Sequence, residues 1–265
     1  VDMEEALTDE VVVYAEVGTN LAIDFSAIGM ATGITDETFF ANCDVVTSGR
    51  VAHQRTAAAP LEVRSTAAAW DGDKLVFWTS NQVPQGVKGV LGTLYAETAT
   101  GGVQVIVPDV GGGFGAKIAA YPEDVLLPWL AQKIGRPMRW FETRTENMQA
   151  MGPGRAHVHR FTLGGSADGN LTHYRLEVLV DSGAYARLGA FLPMFTLPMT
   201  TGVYEIASVE TSALSVITNT TPTEAYRGAG RPEATLTIER AVELWSFQAG
   251  LDPVEVRRQN FLAAV

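Results

Sequence analysis

A single cysteine, Cys43, among 265 residues excludes an internal disulfide framework and any iron–sulfur cluster held wholly by this chain. A lone thiol of this kind is expected to serve as a small buried hydrophobe. Basic side chains are scarce: 19 Lys and Arg face 30 Asp and Glu, a net charge of −11, so a nucleic-acid surface is not expected. Long apolar runs are lacking too. The longest, Leu188 to Met199, contains two prolines and falls short of the ~20 residues that cross a bilayer. The opening VDMEEALTDE is acidic where a secretory signal is basic and then apolar, so the chain is expected to be cytoplasmic, with no membrane span.

What the sequence does have is glycine in the right company. Val103, Val105 and Val107 form an apolar strand that runs into VPDVGGGFGAK (Val107 to Lys117), and a helix signal with Pro122, Glu123 and Asp124 follows. Glycines let a backbone approach a ligand closely, and successive free N–H groups make an anion-binding concavity. The spacing is neither GxGxxG nor GK[ST], so the loop fits a cofactor cradle or a tight structural turn, and not a dinucleotide fingerprint. A second loop, AYRGAGR (Ala225 to Arg231), follows a strand ending near Thr218 and precedes a helix opened by Pro232 and Glu233. Its two arginines suit either phosphate recognition or pairing with surface carboxylates. Two such loops at helix mouths favour one shared ligand.

Residues 1–40 read as an extended lead-in and 41–265 as one domain. Strand signals lie at Val45 to Val51, Leu61 and Val63, Leu75 to Trp78, Met138 to Phe141, His157 to Leu163, Leu171 to Asp181 and Val203 to Thr218. The turn Ala167-Asp168-Gly169-Asn170 joins two of these into a hairpin. Helix signals cover Gln85 to Ala96, Pro122 to Ile134 with a kink or break at Pro128, Glu233 to Ala249, and a short stretch after Asp252. Strands and helices mix without βαβ alternation, which predicts an α+β fold of mixed sheets with flanking helices. His157 and His159 share one face of a strand but lack a third partner for a metal.

The stretches VPDVGGGFGAK, AYRGAGRPEATLTIER and GLDPVEVRRQN, with QRTAAAPLE, WTSNQVP and RPMRWFETRTEN, resemble the large subunit of the molybdenum hydroxylases. These are the xanthine, aldehyde and carbon monoxide dehydrogenases. The resemblance runs from about Cys43 to Phe261 and implies the first molybdopterin-binding domain of that subunit. It implies a molybdenum–molybdopterin cofactor, usually the cytosine dinucleotide, with no protein ligand to the metal. Gly112, Gly113, Phe114 and Gly115 match the loop against the molybdenum end. Gln82 matches a glutamine near an oxo ligand, and Arg227 an arginine beside the substrate.

The reaction implied is hydroxylation of a substrate carbon with water. Electrons leave through Fe–S and FAD groups on small and medium partner subunits. Two positions narrow the substrate. Ile118 stands where xanthine-acting members carry glutamate, and Ala229 lies in the stretch that holds a copper-binding cysteine in carbon monoxide dehydrogenases. An aldehyde or N-heteroaromatic compound is therefore the expected small-molecule substrate. The family's subunit is several hundred residues longer, and its catalytic glutamate lies in the other half, so the chain alone is expected to be inactive. A non-catalytic cofactor-binding or scaffold fragment, and a carbon monoxide dehydrogenase-like protein without the copper cysteine, remain alternatives.

Overall fold

The structure is a computed structural model that describes residues 2–35 and 37–263. In chain order its elements are α1 (Met3–Ala6), β1 (Leu21–Asp24), β2 (Val45–His53), β3 (Ser65–Asp71), β4 (Lys74–Thr79), α2 (Pro84–Leu94), β5 (Val103–Ile106), α3 (Pro122–Ile134), β6 (Met138–Phe141), α4 (Arg144–Ala150), β7 (His157–Gly165), β8 (Leu171–Asp181), α5 (Pro193–Thr196), β9 (Ser208–Val216), α6 (Arg231–Ala249) and α7 (Pro253–Asn260), with short 3₁₀ turns between some of them. The mixed sheets with flanking helices agree with the α+β expectation. No helix among the described residues is long and apolar enough to cross a membrane.

The chain divides into two compact units, one of residues 1–56, 155–223 and 228–265, the other of 57–154 and 224–227. This division does not coincide with a boundary at residue 40. Residues 1–40 are not a bare lead-in: β1 pairs antiparallel with β9 as the edge of the first unit's sheet.

That sheet has the order β1-β9-β8-β7-β2, with β8 and β9 parallel and the other pairs antiparallel. α6 lies across β2 and β7. Its buried Ala234, Ile238, Ala241, Val242 and Trp245 recur every three or four residues, which places them on one face. That face meets Phe161 and Leu163 of β7 in the core, and the Trp245 indole N–H donates to the Val45 carbonyl at 3.0 Å. Gly250, at φ 73°, ends the helix in the left-handed conformation that glycine adopts without strain. α7 starts as the sequence predicts: the Asp252 carboxylate accepts the Val254 N–H at 2.8 Å. Asp252→Ala should therefore lower stability by about 1 kcal/mol, read from the shift in a urea unfolding midpoint.

The second unit is a four-stranded sheet of order β5-β4-β3-β6. Leu75 and Phe77 of β4 point to α2 and α3, where they pack with Val87, Leu91, Leu127 and Ala131. The alternate residues, Val76 and Trp78, point to the open face. There Trp78 and Phe141 stay exposed beside a cleft of ≈ 190 Å³. β4 and β5 are the parallel pair, joined through α2, so their C-terminal ends lie side by side with Trp78 opposite Ile106.

Two strand expectations need correction. Leu61 and Val63 are outside any strand. Leu61 is fully exposed, and its carbonyl takes a hydrogen bond from the Arg144 guanidinium instead of a neighbouring strand. The strand here is β3, whose STAAAWD carries little β-branched signal. β9 begins at Ser208, because residues 201–204 are spent in a turn in which the Tyr204 N–H bonds the Thr201 carbonyl. α3 continues unbroken through Pro128, and the Pro128 carbonyl accepts the Trp70 indole N–H at 2.9 Å.

Candidate functional site

The parallel ends of β4 and β5 bring two pieces of sequence together within the second unit. β5 runs into the glycine loop, and β4 runs into Ser80-Asn81-Gln82. Ligand sites favour such strand ends because the loops leaving them are free to diverge. Gln82 lies against the loop: its Oε1 accepts the Gly115 N–H at 2.8 Å and the Lys117 N–H at 3.4 Å. Its backbone N–H donates to the Lys117 carbonyl at 2.8 Å. The amide end, Nε2, makes no hydrogen bond among the described residues and belongs to an exposed side chain.

The loop itself is strained in the way a cradle requires. Gly112 and Gly115 have φ of 98° and 104°, and Phe114, at 54°, is left-handed without being glycine. A β-carbon on Gly113 would fall 2.4 Å from Gln82 Oε1, so only glycine lets Gln82 lie that close. The N–H groups of Gly112, Gly113 and Phe114 donate no hydrogen bond among the described residues. Three successive donors around alternating backbone handedness form a nest for an anionic or electron-rich group.

Arg227 enters this same unit. Its backbone N–H donates to the Phe114 carbonyl at 2.8 Å, and its guanidinium carbon stands 5.8 Å from the Phe114 ring centre. A β-carbon on Gly115 would lie 2.7 Å from the Ala225 carbonyl oxygen, so the 224–227 segment lies directly on the glycine loop. Gln82, Gly112, Gly113, Phe114, Gly115 and Arg227 are thus brought together, with Phe114 and Arg227 both exposed. Ile118 is half-buried just after the loop, its carbonyl 3.5 Å from Asn81 Nδ2. Ala229 belongs to the first unit, in the turn before α6.

Sequence reasoning missed what anchors the loop. Lys117 is 1% exposed, and its ammonium reaches Glu62 Oε2 at 2.9 Å and Ser80 Oγ at 2.6 Å. Glu62 Oε2 also accepts the Gly111 N–H at 2.7 Å. Burial opposes ionisation of Glu62, but the bonds from Lys117, Ser80 and Gly111 and the Lys117 charge outweigh it and hold the carboxyl below its usual range. The only hint in the sequence was a glutamate ending QRTAAAPLE and a lysine ending the glycine loop, 55 positions apart with no pattern to pair them.

In the first unit, His53 joins His157 and His159. His53 and His159 both meet Thr237 Oγ1, at 3.2 and 2.7 Å, and His157 Nδ1 lies 3.4 Å from His159 Nε2. Beside them Arg155 pairs with the buried Glu233 at 3.1 Å. Cys43 is half-buried, its Sγ 3.4 Å from His173 Nδ1, so it is not the purely apolar filler expected.

Comparison with known proteins adds a consistent picture. Residues 15–261 match the molybdopterin cofactor-binding domain. The nicotine 6-hydroxylase large subunit of Paenarthrobacter nicotinovorans is 35% identical over 234 residues, which cover 86% of this chain and 28% of that protein. The carbon monoxide dehydrogenase large chain of Hydrogenophaga pseudoflava is 32% identical over 84% of this chain and 28% of its own length. The crystal structure of quinoline 2-oxidoreductase from Pseudomonas putida 86 superposes with a TM-score of 0.89 at 28% identity, covering 98% of this chain and 33% of that one. The chain thus spans about a third of the length of the relatives it matches.

Proposed function

Because the chain belongs to the molybdopterin cofactor-binding domain family, we propose that its glycine loop, Gln82 and Arg227 bind the molybdenum end of a molybdopterin cofactor in a multisubunit hydroxylase. The observation that carries this is the row of three undonated N–H groups at Gly112, Gly113 and Phe114, next to the Gln82 amide. The residues fit the group: the nest and the amide offer donors, and glycine at 113 lets Gln82 lie against the loop. When bound, the cofactor supplies two-electron redox chemistry. The cytosine dinucleotide form, and Fe–S and FAD partner subunits that carry the electrons away, belong to the same proposal.

The chain's own residues then have distinct tasks. The N–H groups would hold electron-rich atoms of the cofactor, and Gln82 Nε2 would offer a fixed donor to an oxygen there. The exposed Phe114 ring flanks the Arg227 guanidinium, which would orient the substrate with a planar fork that lysine lacks. Ile118, half-buried just after the loop, would make that end of the site apolar.

An N-heteroaromatic or aldehyde substrate suits such a lining. Relatives named for nicotine and quinoline, both N-heteroaromatic, support the first. The stretch Gly228-Ala229-Gly230 offers no thiol for copper, which weighs against carbon monoxide.

Arg227→Lys in the full-length enzyme, purified with its partner subunits, should lower kcat roughly a hundredfold while molybdenum content and melting temperature hold. Wild-type turnover in that variant would remove Arg227 from the reaction. Hydroxylation by a wild-type enzyme free of molybdenum would overturn the cofactor assignment itself.

A further inference from the structure

The undonated segment Gly112–Phe114 is short, and what fixes it lies outside it. One carboxylate oxygen, Glu62 Oε2, accepts the Gly111 N–H at 2.7 Å at one end of the segment and the Lys117 ammonium at 2.9 Å beyond the other. Ser80 Oγ donates to the same oxygen at 2.7 Å and accepts from Lys117 at 2.6 Å. The Glu62 backbone repeats the grip: its N–H donates to the Gly111 carbonyl at 3.2 Å, and its carbonyl accepts Lys117 Nζ at 2.8 Å. The loop is therefore closed into a ring at its base.

Such an arrangement is more than packing. A buried ammonium is costly to hold, and a hydrophobic residue would fill the same volume at no electrostatic cost. An ion pair, however, fixes distance and direction between two loop ends that glycines would otherwise leave free. We infer that Glu62, Lys117 and Ser80 form a positioning clasp that sets the spacing of the Gly112, Gly113 and Phe114 N–H groups, and so determines whether the loop retains the molybdopterin cofactor. None of the three is a catalytic residue; they act through the loop. The inference rests on the cofactor reading above for its last step only.

Lys117→Met, which keeps volume and removes charge, tests it in the full-length enzyme with its partners. The reporter is the Gly115 N–H, which bonds Gln82 and touches neither Glu62 nor Lys117. Its hydrogen exchange should rise at least tenfold over wild type while exchange in α3 and α6 stays unchanged. Molybdenum per folded polypeptide should fall severalfold.

Wild-type Gly115 exchange in a folded Lys117→Met enzyme would overturn the clasp. If that variant does not fold, Ser80→Ala removes one member and keeps the ion pair; it should show a smaller rise at Gly115, and no rise would equally overturn the idea. A wild-type enzyme without molybdenum would sink the cofactor reading, and the exchange arm would still decide the clasp. Faster Gly115 exchange with undiminished molybdenum would reject the link from clasp to cofactor retention.

Discussion

Gly115→Ala should be among the most damaging single-methyl additions this chain can receive. Two costs coincide at that position. The backbone is held at φ 104°, outside the region L-residues adopt readily, at about 1–3 kcal/mol. The added β-carbon would sit 2.7 Å from the Ala225 carbonyl oxygen and 2.9 Å from its carbon, and backbone cannot rotate aside as a flexible side chain does. Overpacking of this kind adds about 1–3 kcal/mol. Gly72→Ala is the matched control. Its φ is 59° and nothing lies within 4 Å of where its β-carbon would stand, so only the left-handed backbone is penalised, by about 1–2 kcal/mol. Urea unfolding of the two variants beside wild type should separate them clearly. Equal midpoints would mean that the 224–227 segment yields without resistance.

The second large effect is a loss of stability in mild acid. Burial, and then the nearby Arg155 charge, push His53 down to about 4. Burial, His53 and Arg155 push His157 to about 3, and His159 is held well below its ordinary value by burial and its two histidine neighbours. In the unfolded chain all three take up protons near pH 6.5. Below that value the unfolded state binds more protons than the folded one, so stability is full above about 6.5 and falls as the pH drops toward 4. Each histidine that stays neutral contributes a slope approaching ~1.4 kcal/mol per pH unit, so three together reach about 4.

Two buried atoms sharpen this expectation: His157 Nε2 and Glu233 Oε2 have no hydrogen-bond partner among the described residues. Asp124, whose carboxyl is raised by burial, works the other way, but it is one group and lies in the other unit. Denaturant midpoints measured from about pH 7.5 to about 4.5 should drop steeply below ~6.5, and His53→Gln should flatten the profile. A level profile down to about pH 5 would show that the cluster admits protons without opening.

How much of this was readable beforehand depended on whether the cause was local. The mouths and ends of α6 and α7 were legible because Pro232, Gly250, Asp252 and Pro253 act on their own neighbours. The glycine loop was legible for the same reason, and the parallel pairing of β4 and β5 then brought Gln82 to it. The hidden parts are pairings across long stretches of chain. Glu62 with Lys117, and His53 with His159, join residues whose positions carry no shared period. β3 was missed because its run of alanines lacks the branched side chains that mark a strand, and it is a strand only because β4 and β6 flank it. In Val203 to Thr218 the composition suited a strand throughout, but the Thr201 carbonyl captured the Tyr204 N–H in a turn.

The second unit is inserted between β2 and β7 of the first, and this fixes an order of events during synthesis. All four strands of the inserted sheet, with α2 and α3, leave the ribosome before β7 exists. They can pair among themselves at once. β2 must wait through the whole insertion for β7, and β1 waits longer still, since Leu21 finds Val216. Pairings of such high sequence separation form slowly and leave strand edges open to other chains meanwhile. The glycine loop, its clasp and Gln82 can thus be assembled while the first unit is still a string of unpaired strands. Arg227 arrives after β9, as the last part of the site to be delivered.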